Sequence, residues 1–187
     1  MSVHTTTSEN VINHNSQTLD HSIQNWIYNW VSVYNTNLQA VPCPFAKQAY
    51  VDGKILIQEI EPISGYSTSE LICSYLDLVT NPWLFVEKEV VVLGCQPDLI
   101  TASELESTIA DCNRNVLMPR GYIALEDHPD NPEVVAGETM NHGSWALVLL
   151  QSHDKLNKAS AMLKRQGYYK TWSEENLNDV VNWRHNC

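Results

Sequence analysis

Basic residues are scarce in this chain. Lysine and arginine number 11 against 22 aspartates and glutamates, for a formal net charge of −11. That shortage weighs against a nucleic-acid partner, whose phosphates need a basic patch. Long apolar runs are missing as well. None approaches the roughly 20 residues that a membrane span requires, and Met1–Ser16 is polar, without the apolar core of a secretory signal. The expectations are no membrane contact, a cytoplasmic location and a disordered tail over 1–17. The seven glycines are scattered and form neither a GxGxxG nor a P-loop. No GxSxG elbow and no HExxH occurs, so dinucleotide and hydrolase chemistry lose their usual support. Five cysteines, Cys43, Cys73, Cys95, Cys112 and Cys187, include no CxxC pair and no zinc spacing. An odd count in a cytosolic chain reads as free thiols, with Cys73 and Cys112 in or near the core.

What remains is enough for one folded unit. A chain of 187 residues, 43% hydrophobic, buries a real core. Leu19, Ile23, Trp26, Ile27, Trp30, Val31 and Tyr34 recur at spacings of three and four, which predicts a helix over 18–38. Pro42 and Pro44 break it, and a short helix restarts near Phe45. Strands are expected over 54–60, 89–94, 122–125 and 145–150, where short apolar or alternating runs end in turn residues. Helices are expected over 68–79, stopped by Asn81-Pro82, after the capping box Thr101–Glu104, from Asp154 to near Gly167, and after Ser173. The order predicts an α+β sandwich over 18–187: about four strands covered by helices on one or both faces.

Chemistry concentrates in one stretch. The run Tyr122–Leu125 ends abruptly in Glu126, Asp127, His128, Pro129 and Asp130, and His142 follows before the next apolar run. A histidine between carboxylates is fixed in one tautomer and made more basic, which suits a metal ligand or an acid/base. Pro129 stiffens the backbone beside it. The competing interpretation is a solvated turn, since Asp, Pro and Asn are turn residues. Cys43, between two prolines, has a context that recurs for thiolate ligands of haem iron. Its competing interpretation is a rigid turn with a small packed side chain. The aromatic residues, six tryptophans and eight tyrosines, suit a core better than a cofactor box.

The stretch Pro42-Cys43-Pro44-Phe45-Ala46-Lys47, with His128-Pro129 after a later strand, resembles small bacterial domains that open with a helix and a Cys-Pro-Phe-Ala motif. It is also distantly similar, over about residues 20 to 165, to the YqcI/YcgG family, which includes haem-dependent N-hydroxylases of guanidino or amino compounds. After His142 the pattern changes: Gly143-Ser144-Trp145 stands where that family has a basic stretch. The resemblance implies a haem- or iron-dependent oxygenase of specialised metabolism that hydroxylates nitrogen on a small amine, guanidino compound or amino acid. In that role His128 is the iron ligand, oriented by Asp127 or Asp130, with Cys43 as the alternative axial ligand. His142 lines the distal side, and Glu126 or Asp130 pairs with a cationic substrate. A non-haem iron variant keeps His128, His142 and a carboxylate as a facial triad. The second expectation is a module without metal or catalysis that binds a small ligand or a partner chain through the same loop. Self-association into a homodimer is left open.

Overall fold

A computed structural model describes residues 18–80 and 87–185. The tail expected over 1–17, the Asn81-Pro82 stop and Cys187 lie outside the described residues. Helix α1, Leu19–Trp26, begins at Thr18, whose hydroxyl accepts the His21 N–H. The helix expected to run to residue 38 stops earlier. It widens into a π turn at Ile27–Val31 and then gives way to turns. Asn35 explains part of the break: its side chain accepts the N–H groups of Asn37 and Leu38, offering the backbone a partner that a helix would not.

Helix α2 spans Ala46–Val51 and strand β1 Ile55–Glu59. Helix α3, Thr68–Val79, opens on the capping box Ser67–Glu70. Strand β2, Val90–Cys95, leads through a 3-10 turn, Pro97–Leu99, to α4, Ala102–Cys112, which opens on the expected box Thr101–Glu104. Strand β3, Tyr122–Asp127, follows. A two-residue hairpin, β4 (Val134–Val135) and β5 (Glu138–Thr139), interrupts the loop before β6, Ala146–Ser152. Helices α5, His153–Arg165, and α6, Glu174–Val180, complete the order, capped by Ser152 and Ser173.

The four longer strands form one mixed sheet in the order β1-β2-β6-β3. β1 and β2 are parallel, and β6 runs antiparallel to both β2 and β3. The C-terminal ends of β1, β2 and β3 therefore share one end of the sheet, and Asp127 lies there. Side chains alternate between the faces. Val91, Leu93, Ala124, Val148 and Leu150 pack with Leu71, Leu76, Leu105 and Ile109 of α3 and α4. Val92 and Leu147 face the other way and meet Leu19 and Ile23 of α1. The expected α+β sandwich is thus present, with helices on both faces. Gly94 sets how closely α1 approaches: a Cβ there would stand 2.7 Å from Leu19 Cδ1.

β3 is an edge strand, and an open edge is a liability. Asn113, buried in a π turn after α4, covers part of it. Its amide donates to Ala124 O and accepts from Ala124 N, each at 2.8 Å. A side chain thus stands in for a fifth strand at one residue of β3. Beyond that residue the edge opens into a cleft.

Candidate functional site

Glu126 and Asp127 are neighbours in sequence, and the pleat sends them apart. Glu126 pairs with Val148 on the α3/α4 face, Asp127 with Leu147 on the α1 face. Asp127 is buried and anchors the loop that follows. Its Oδ2 accepts the backbone N–H of His142 at 2.9 Å, and its Oδ1 accepts the Asn141 amide at 3.1 Å. The Asn141 oxygen in turn accepts the N–H of Glu133, and its amide reaches His128 O at 3.4 Å. Burial raises the Asp127 carboxyl above the ordinary aspartate range, although these bonds and nearby His128 pull it back.

His128 is 3% exposed and both ring nitrogens are occupied. Nε2 lies 3.0 Å from Ile100 O and 3.3 Å from Pro97 O, and a carbonyl only accepts, so Nε2 carries the proton. Nδ1 accepts the N–H of Asp130 at 3.1 Å. The ring pins β3 to the turn after β2. Asp130 is not its orienter: the carboxylate is 83% exposed and 4.0 Å from Nδ1, and the backbone N–H takes that nitrogen. His142 turns towards α1. Its Nε2 is 3.2 Å from Ser22 Oγ, its Nδ1 accepts from Ser144 N, and its ring stands nearly perpendicular to that of Trp26 at 5.2 Å between centroids. Burial lowers its pKa.

Cys43 sits elsewhere. Its backbone N–H donates to Val31 O at 2.8 Å, and Tyr168 donates to the neighbouring Pro42 carbonyl. Burial pushes the thiol up, although the N–H groups of Phe45 and Ala46 pull it down. The dipole of a six-residue helix does not offset that burial.

The iron-ligand roles suggested for these residues need a free imidazole nitrogen or a thiolate. His128 offers no free nitrogen, the two imidazoles point to different elements, and the half-buried Cys43 thiol resists ionisation. Among the described residues no three His, Cys, Asp or Glu side chains are grouped to hold a metal ion. As arranged, these donors do not fit the axial ligand or the facial triad that the sequence suggested.

The cleft beyond Asn113 has a volume of about 940 Å³ and runs along β3 between α4 and the segment carrying α6. Glu106, Glu126, Asp127, Glu133, Glu175 and Asp179 line it, with Leu125, Met118, Val180 and Trp183 supplying apolar surface. Arg114 is the basic residue of the lining, and it turns to Asp111 at 3.4 Å. Glu133 is the most perturbed carboxyl of this group. One of its oxygens is buried and has no hydrogen-bond partner. Burial, then the negative charges of Asp179, Asp127 and Glu126, push its pKa up to about 7. Glu126 is an exposed residue of the lining, and partial burial of its carboxyl raises it too, with the charge of Glu106 adding to the effect.

Of the residues singled out in sequence, the cleft gathers Glu126, Asp127 and His128; Asp130, His142 and Cys43 are not in its lining. Glu133 and Asp179 were missed. Glu133 stands three positions after Asp130 and looks like one more turn acid. Asp179 lies 46 positions further on, on a helix whose pattern gives no hint of the cleft. Compared with protein-family models, curated proteins and solved structures, the chain matches none of them. The class defined by fold and site is an α+β domain with an acidic cleft along one sheet edge.

Proposed function

We propose that the cleft binds a small organic cation, an amine or guanidino compound, and that the chain acts as a binding module through it. The observation that carries this reading is Glu133: a carboxyl with a buried, unpartnered oxygen, its pKa pushed up by burial and then by three other acids. A cation between Glu133, Glu126 and Asp179 relieves that repulsion and satisfies the oxygen. Trp183 and the apolar wall suit the alkyl stem of such a ligand, and a tryptophan ring also attracts cations. The oxygenase reading finds less support, because its ligands are engaged elsewhere.

The test is calorimetric titration with agmatine and putrescine at pH 8, with glutamate as the anionic control. Saturable binding of the cations, lost in Glu133→Gln, is the expected result. Affinity should fall about tenfold per pH unit below about 7, because one proton then competes with the cation. Heats that are absent at millimolar ligand, or unchanged in Glu133→Gln, would overturn the reading.

A further inference from the structure

Away from the cleft, two thiols face one another. Cys73 of α3 and Cys112 of α4 have their sulfurs 2.9 Å apart, 39 positions apart in the chain. One turn earlier on each helix, Thr108 Oγ1 donates to Ser69 Oγ at 3.1 Å. Ser69 and Cys73 are four residues apart on α3, and Thr108 and Cys112 four apart on α4. The two helices therefore run side by side in register, and the hydroxyl pair fixes the approach of the thiol pair. Cys73 is half-buried and Cys112 is buried, and both border a pocket of about 440 Å³ with Asp77, Asp111 and Asn115.

We propose that Cys73 and Cys112 form a reversible disulfide that staples α3 to α4, made by exchange with a small disulfide. From 2.9 Å, closure to the ~2.05 Å of a disulfide takes about 1 Å of side-chain movement. The Cys73 thiolate, nearer the surface, attacks one sulfur of the small disulfide and displaces a thiolate. Cys112, giving up its proton, attacks the Cys73 sulfur and displaces the second thiolate. Two protein thiols are oxidised, one small disulfide is reduced to two thiols, and those take up the two protons. Burial and the neighbouring Cys73 push the Cys112 thiol up to about 12, so it is a poor first nucleophile and fits the resolving role. Cys43 and Cys95 have no facing thiol among the described residues.

The test incubates the folded protein with oxidised glutathione, traps free thiols under non-reducing denaturing conditions, and maps the peptides by mass. Expected is a Cys73–Cys112 linked peptide pair, a melting midpoint raised by about 5–10 °C, and reversal of both by dithiothreitol. In Cys112→Ser the exchange should stop at a lasting glutathione adduct on Cys73. The wild-type peptide map decides the matter even where that variant folds poorly. A lasting adduct on wild-type Cys73, two unmodified thiols, or a link that forms only after unfolding would each overturn the proposal.

Discussion

Two groups of similar residues meet at the end of β3 in opposite circumstances. In one, Asp127, Asn141, His128 and His142 hold one another and the backbone in a closed network. In the other, Glu126, Glu133 and Asp179 gather like charges in the cleft, and a buried oxygen of Glu133 has no partner. The first group holds the loop, and the second is the one proposed to meet a ligand. A histidine between carboxylates is not in itself a reactive centre. What counts is whether its nitrogens already have partners, and those of His128 do.

The comparison breaks most visibly at Asp127. Asp127→Ala removes the acceptor of two bonds, from Asn141 and from His142 N, and leaves both donors in a half-buried place. Bonds to a charged group are worth about 1.5–3 kcal/mol each, but the raised carboxyl pKa shows that burial already offsets part of this. The expected loss is about 3 kcal/mol in urea denaturation at pH 7, with protease cutting inside residues 128–145. A loss below about 1 kcal/mol would mean that the loop is held by something else.

His128→Ala comes next. It deletes a ring that is 3% exposed, orphans the Ile100 carbonyl and leaves a cavity. A loss of about 2–3 kcal/mol is expected, with cation binding retained at temperatures where the variant is folded. Retained stability together with lost binding would move His128 from the scaffold to the ligand.

The frame was readable in the sequence because periodicity and caps are local. The strand runs near Ile57, Val91, Ile123 and Leu147 and the box Thr101–Glu104 appear where expected. The first helix was read too long because Tyr34 keeps the helical spacing while lying exposed. The loop was readable as chemistry but not as a network, since the bond from Asn141 to Asp127 spans 14 positions. Glu133 became notable only beside Asp179, and Cys73 only beside Cys112. Such meetings are made by the tertiary fold, and no local pattern encodes them.

On the cleft side, the sign of the effect reverses. The folded-state pKa of Glu133, about 7, lies above its ordinary value of 4.5. Between the two, the folded chain holds the extra proton, so the contribution is fully present at low pH and is lost as pH rises through about 7. Glu126 and Asp127 shift the same way. Glu70 and Glu104, lowered by the N–H groups of Ser67 and Thr101, oppose this only at more acid pH. Glu133→Gln should therefore raise stability at pH 8 by on the order of 2 kcal/mol, and flatten the fall seen in the wild type between pH 5 and 8. Melting curves across that range check it. An unchanged slope would mean that another group carries the titration.

The smallest effect is expected at Asp130, although sequence alone ranks this residue with its neighbours. Asp130 flanks His128 across Pro129, as an orienting carboxylate would. Its side chain is 83% exposed, however, and stands 4.0 Å from Nδ1. The bond that matters comes from its backbone N–H, at 3.1 Å, and that survives any side-chain change. Exposed ion contacts of this kind contribute between zero and about 1 kcal/mol. Asp130→Asn should thus change stability by less than about 0.5 kcal/mol and leave agmatine affinity within about twofold, since Asp130 is not in the cleft lining. Both are read from one denaturation curve and one titration. A tenfold loss of affinity would place Asp130 on the ligand's path and give the acidic site a second lobe, outside the cleft wall that Glu126 and Glu133 share.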